Sequence, residues 1–358
     1  MASALLIRLG FEINSKVIRF IIILIAISIP CILAGYRDIS VGTDVSLYGY
    51  PIYSQARRFT LDLYSNINPS FTSVFKLFSW SIANLSPTRQ IFLSFIQALS
   101  IIPIVYSLSI CYANKASLGY FIYLVVFFPM TLNMIRQGVS IGFVTAAYIF
   151  ISCDKKISYI ICLIFATLFH SSAVVAFASL PFLFFESKKR KSDMLMMIVC
   201  LAGISIFLYG YPLLTEIISS FVGSYDQYLD SDQLNLFGSS IFTSLSFALI
   251  ILYYAFLYSK NKKDNSKIKS LIEVTVLGTI TYLLAVRSAT LYRVALYFLV
   301  SIIPLVLLNS IVKFNKLSIY KLKIVDSLPI IVWTLLFSWI YYEVLGLQQV
   351  VPYLIALT

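Results

Sequence analysis

Residues 17–34 read VIRFIIILIAISIPCILA, and this run decides the fold. Beyond Arg19 it carries no charge. It matches the roughly 20 apolar residues an α-helix needs to cross a hydrocarbon core. Arg8, Lys16 and Arg19 precede or open it, as in a secretory signal. The run is too long for a signal-peptide core, however, and no A-x-A site follows. It is read as an uncleaved first transmembrane helix.

The rest of the chain repeats that pattern. Its 358 residues are 60% hydrophobic and 12% charged, with a mean hydropathy of +0.91. Soluble domains average about 25% charged residues. A globule of this composition could not cover its surface with polar groups, so the bilayer must serve as solvent. Apolar runs fall at about 17–35, 91–112, 117–132, 138–152, 157–169, 171–185, 194–210, 239–258, 270–286, 291–312 and 324–345. The expected fold is all-α, a single integral membrane domain over 1–358 with roughly 11 transmembrane helices. The half-apolar stretch 70–86 carries Lys76 and several serines, which suits a re-entrant or interfacial helix. The cysteines lie in or beside apolar runs without a CxxC pair, so they are read as small buried hydrophobes.

Lysine clusters set the orientation. Lys155–Lys156, Lys188–Lys191, Lys260–Lys269 and Lys313–Lys323 belong in the cytoplasm by the positive-inside rule. Alternating the runs between them puts 36–89 and 211–238 outside as the main periplasmic loops. Residues 157–185 become a hairpin with His170 at its outer tip. Only Lys76 among the lysines falls outside. Arg37, Arg57, Arg58, Arg89, Arg136, Arg287 and Arg293 all do. The net charge of +12 is thus explained by membrane orientation, and no basic-aromatic motif points to nucleic acid.

Outward arginines oppose the usual bias and need a reason. A guanidinium fork binds phosphate oxygens bidentately and stays charged when partly buried. Arg57, Arg58 and Arg89 fit simple snorkelling to lipid head groups. Four others lie in special contexts. Arg37 sits in Gly35-Tyr36-Arg37, followed by Gly42-Thr43-Asp44 and Tyr48, where Asp44 suits a turn or helix cap, or a partner that orients an arginine. Arg136 and Gln137 open a helix in Asn133-Met134-Ile135-Arg136-Gln137-Gly138, and ionisable residues at membrane depth are costly and usually functional. Arg287 and Arg293 flank Ser288-Ala289-Thr290-Leu291-Tyr292, with Tyr297 one turn on. His170, in Phe169-His170-Ser171-Ser172, is the chain's one histidine. Histidine titrates near neutrality and can act as general base. One histidine cannot build a zinc site, so no metal or other cofactor is expected.

These contexts, in this order, together with Asn68-Pro69-Ser70-Phe71, resemble the EpsG-like branch of the Wzy-type polysaccharide (O-antigen) polymerases. The resemblance runs from about 36 to 297. Asn68 departs from it, standing where many relatives carry glutamate. The resemblance implies glycosyl transfer from undecaprenyl diphosphate onto another lipid-linked repeat unit, at the periplasmic face of the bacterial inner membrane. It implies Arg37, Arg136, Arg287 and Arg293 as diphosphate ligands. His170, Asp44 and Arg136 become the catalytic candidates, and Gln137, Tyr48, Tyr292 and Tyr297 the substrate contacts. The implied partners are the lipid-linked oligosaccharide, membrane lipid and a chain-length regulator protein. An O-antigen ligase would use the same donor chemistry. A lipid-linked oligosaccharide flippase would instead line both leaflets with charge, whereas here the charge pools at one face.

Overall fold

The structure is a computed structural model that describes residues 1–42, 44–184, 233–260, 266–285, 289–312 and 322–356. The described residues are helical, with one isolated antiparallel bridge between Arg37 and Ile355. Seven helices among them are long and apolar enough to cross a membrane: Lys16–Gly35, Arg89–Cys111, Ala113–Leu132, Ile135–Ser152, Ser240–Ser259, Leu291–Asn309 and Ser327–Val344. The runs at 157–169 and 171–185 appear as shorter apolar helices, Lys156–Phe169 and Ser171–Phe184. The run at 270–286 forms the helix Ser266–Leu284. The run at 194–210 lies outside the described residues. The protein is therefore an all-helical polytopic membrane protein, as the hydropathy pattern requires.

The chain divides into two compact units, Met1–Val174 with Val306–Thr358, and Val175–Leu305. In the first unit the described helices begin with α1 (Ala2–Glu12) and α2 (Lys16–Gly35). Hydropathy alone gives no sign of α1. It folds back on α2, with Ser3 Oγ donating to the Ala26 carbonyl. Ser15 caps α2, and Arg19 Nη2 donates to the Ile13 carbonyl (2.8 Å) to close the turn.

Three short helices follow: α3 (Tyr50–Arg58), α4 (Leu61–Ile67) and α5 (Ser73–Leu85). The expected loop 36–89 is thus largely helical. The 13-residue α5 starts at a Thr72 cap and is too short to span a bilayer. Trp80 Nε1 donates to the Phe59 carbonyl (3.0 Å), and Asn84 Nδ2 to that of Ala56 (3.1 Å). These bonds, with an aromatic core of Tyr64, Phe71, Phe75 and Phe92, make the short helices one body.

Next come α6 (Arg89–Cys111), α7 (Ala113–Leu132), α8 (Ile135–Ser152) and α9 (Lys156–Phe169). Gly142 lets α6 and α8 touch: a Cβ there would lie 2.1 Å from the Ser100 carbonyl oxygen. Within α7, a π-helical turn at Tyr123–Phe127 precedes Pro129. Proline removes one helical donor and crowds the preceding turn, which a wider turn relieves. Tyr342, from the C-terminal helix, donates to the Val126 carbonyl there (2.7 Å).

Candidate functional site

The site forms where α2, α7 and α8 meet residues 36–42 and Asp44. Gly42 has φ +79° and approaches the Leu132 carbonyl so closely that a Cβ would sit 3.2 Å away. Glycine alone tolerates both conditions cheaply. Asp38 Oδ1 accepts the Ser40 N–H (3.0 Å) and hydroxyl (2.8 Å), which holds its carboxyl below its ordinary value and shapes the turn.

Arg37 is 3% exposed. Its Nη1 donates to the Ala34 carbonyl and its Nη2 to that of Leu132 (3.0 Å). It therefore caps the C-terminal ends of α2 and α7, where helix dipoles present partial negative charge. Its Nε has no hydrogen-bond partner. Burial lowers its pKa to about 10, opposed by Tyr353 and Asp44, so it remains a cation at neutral pH.

Asp44 is 8% exposed. Its Oδ2 accepts the Ile135 N–H (3.1 Å), so it caps α8 from far away in sequence. Met134, the residue before α8, offers no side-chain cap of its own. The Asp44 N–H donates to Asn133 Oδ1 (3.2 Å), and Asn133 Nδ2 donates to Gln348 Oε1 (3.2 Å). Gln348 Nε2 in turn donates to the Tyr341 hydroxyl (3.1 Å). Arg37 and Asp44 are thus a matched pair, one closing two helix C-termini and the other one N-terminus. The resemblance puts Arg37 on the diphosphate and Asp44 at the chemistry. In the structure both side chains are enclosed and engaged with helix ends.

The C-terminal segment lies over this pair. Asp38 N–H donates to the Leu354 carbonyl, Ala356 N–H to that of Tyr36, and Gly42 N–H to that of Gln349, each at 2.9 Å. The Tyr353 hydroxyl donates to the Leu33 carbonyl, and burial pushes its pKa up to about 12. Gln348 and Gln349 hold positive φ (68° and 52°), a conformation that costs a non-glycine residue energy.

Arg136 stands on the first turn of α8 and is half-buried. Its Cζ lies 4.2 Å from the Phe71 ring centroid and 5.6 Å from that of Tyr48. Its Nη1 donates to the Ser70 carbonyl (3.4 Å). Two aromatic rings thus lie against the guanidinium, each contact worth about 0.5–2 kcal/mol. Gln137, its neighbour, is buried.

His170 is half-buried at the C-cap of α9, where the chain turns extended (φ −150°, ψ 116°). The helix breaks there and resumes at Ser171, so the expected split of 157–185 is present. Ser140 Oγ donates to the Ala166 carbonyl (2.7 Å), and Phe143 stacks on Phe169 (5.6 Å, 12°). Arg136, Ser140 and Phe143 share one face of α8 by helical spacing. That face carries both the arginine and the contacts to the His170 corner.

The ends of these helices sort the charges. Tyr112 and Ser152 hydroxyls pair at 2.7 Å, so Lys115 and Lys155 share one end of α6–α8. Arg37, Arg136 and Arg89 lie at the other end. There Arg89 stacks over Tyr50 (4.1 Å).

Arg293 and Tyr292 belong to the second unit, on the helix Ala289–Leu299. Arg293 Nε donates to the Tyr292 hydroxyl (3.2 Å), and Tyr292 packs against Tyr282 (6.3 Å). Tyr297 is fully buried. Arg287 lies outside the described residues, as does most of the expected loop 211–238, whose end 233–238 opens the helix Gln233–Lys260. Among the described residues no three His, Cys, Asp or Glu side chains gather as a metal site. Sequence reasoning missed Thr72, Gln348 and the C-terminal segment. Asn133 lies in a quoted motif, but nothing local signals that it would bond a residue so distant in the chain.

A protein-family model described as the EpsG family matches residues 20–355. No curated protein matches the chain. No solved structure matches it either.

Proposed function

The chain belongs to the EpsG family, and on that premise we propose that it polymerises polysaccharide repeat units at the periplasmic face of the bacterial inner membrane. Membership indicates a membrane protein of the polysaccharide-polymerase type, a class associated with glycosyltransferase-like activity. The finer reading is a metal-independent transfer from undecaprenyl diphosphate onto the non-reducing end of another lipid-linked repeat unit. The bond between the anomeric carbon and the diphosphate oxygen breaks, and undecaprenyl diphosphate leaves with the electron pair. The acceptor hydroxyl oxygen bonds to that carbon and gives its proton to a base.

The leaving group is already good, so the protein must stabilise charge and take one proton. Arg136 is assigned to the diphosphate, and Arg287 and Arg293 are further ligands that the resemblance alone implies. His170 is assigned as base. Tyr48 and Tyr292 are assigned to the sugars. Gln137 and Tyr297 support their helices from buried positions, and Arg37 and Asp44 fix the helix ends that carry the site. The lipid-linked oligosaccharide and surrounding lipid are the partners, and a chain-length regulator protein is a further one.

The observation that carries the reading is Arg136. It is half-buried, lies over two rings, and is on the face of α8 that adjoins the His170 corner. A planar cation so held suits bidentate phosphate binding with little ordering cost. Glycan ladders from a polymerase-null strain test it. Arg136→Ala and His170→Ala should leave a single capped repeat, and Arg136→Lys should shorten ladders strongly, since lysine supplies no planar fork. Normal ladders from both alanine variants would overturn the assignment. Complete loss of capped product would point to ligation instead.

A further inference from the structure

The motif Asn68-Pro69-Ser70-Phe71 supplies no reacting group to the chemistry above, yet its loop touches Arg136 and adjoins the support of His170. Ser70 offers its carbonyl to Arg136 Nη1 (3.4 Å), and the Phe71 ring lies 4.2 Å from Arg136 Cζ. One residue on, Thr72 Oγ1 donates to the Phe169 carbonyl (3.1 Å), the peptide oxygen that immediately precedes His170. We propose that Phe71 and Thr72 are positioning residues of the transfer site: Phe71 fixes Arg136 for the donor diphosphate, and Thr72 fixes the backbone corner that presents His170. This rests on the polymerase reading of the same site.

The loop is built to hold position. Asn68 Nδ2 donates to Gln55 Oε1 and to the Tyr64 carbonyl, both at 3.0 Å, which anchors the loop to α3 and α4. The Phe71 N–H returns to the Asn68 carbonyl (3.1 Å). Phe71 is 7% exposed and meets Phe75 edge-on (5.6 Å, 84°), so its ring cannot follow a wandering guanidinium. An arginine side chain loses rotamer freedom on binding, and a fixed ring beneath it removes part of that cost before the donor arrives.

Thr72 acts at the other side. The last carbonyls of a helix have no partner within it. At α9 the Phe169 carbonyl is one of these, and Thr72 satisfies it. The His170 N–H bonds the Ala166 carbonyl and the His170 carbonyl takes the Ala173 N–H, both at 3.0 Å. The peptides on each side of His170 are therefore held, and Thr72 supplies a hold from another element. The same hydroxyl accepts the Phe75 N–H (3.4 Å) as the cap of α5.

Adjacent residues with separate duties give separable defects. Purified variants in nanodiscs are assayed for undecaprenyl diphosphate binding, and for turnover of lipid-linked repeat units extracted from the source membranes. Phe71→Leu should weaken diphosphate binding about 3- to 10-fold and spare turnover at saturation. Thr72→Val should keep the affinity and lower saturated turnover about tenfold, with Thr72→Ser restoring it. Thr72→Asp keeps the α5 cap but lacks the donor, so it should melt like the parent and still turn over slowly. A general structural role would move both parameters together in every variant, and that result overturns the proposal. So does unchanged binding and turnover in Phe71→Leu and Thr72→Val while Arg136→Ala and His170→Ala fail. If those two alanine variants bind and turn over normally, the reading of the site itself falls.

Discussion

Asp44 is a catalytic candidate in sequence, and in the structure its carboxylate caps a helix. Its carboxylate accepts the first N–H of α8 and lies within electrostatic reach of the buried Arg37. Asparagine keeps a capping oxygen, whereas alanine does not. Asp44→Ala should therefore lose about 1 kcal/mol for the cap alone, read as a lower melting temperature in detergent. Asp44→Asn should melt closer to the parent and retain glycan ladders. A ladder-null but fully stable Asp44→Asn would instead make Asp44 the base. The sequence made Asp44 legible as a cap, but not the helix it caps, because the partner lies 91 residues away. Arg37 was legible as special for the same reason that its role was not: burial selects arginine both for phosphate and for helix carbonyls.

At the level of elements, hydropathy located what it measures. The apolar runs among the described residues became helices because a bilayer leaves the backbone no partner but itself. The break at His170 was legible because two short runs meet at a histidine and two serines. Two features were not. The amphipathic α1 is too short and too mixed to register as a span. The C-terminal segment 346–356 has no long periodicity, since three backbone bonds to the 36–42 segment help to hold it. Close packing of α6 on α8 is likewise hidden in a single glycine. Gly142→Ala puts a methyl 2.1 Å from the Ser100 carbonyl oxygen, so the helices must separate. A loss of about 1–3 kcal/mol is expected, measured as reduced monodisperse yield and an earlier melt. Unchanged melting would mean the two helices are not held at that distance.

Across the whole molecule, lysine and arginine divide the ends of the helices in the first unit. The lysine-rich corner includes Asn114 and Lys115, and the exposed turn at Ser40 stands at the arginine end. An impermeant maleimide should label Ser40→Cys in intact spheroplasts and Asn114→Cys only after lysis, in a background lacking the native cysteines. The reverse pattern would invert the orientation drawn from the lysines. The central proposal is that an outward arginine and histidine transfer glycans without a metal. The direct measurement is polymerisation by the purified protein of its lipid-linked repeat unit, with and without chelator. The expected result is a ladder extending beyond one repeat that chelator leaves unchanged. A chelator-abolished ladder, or none from folded protein, would contradict it.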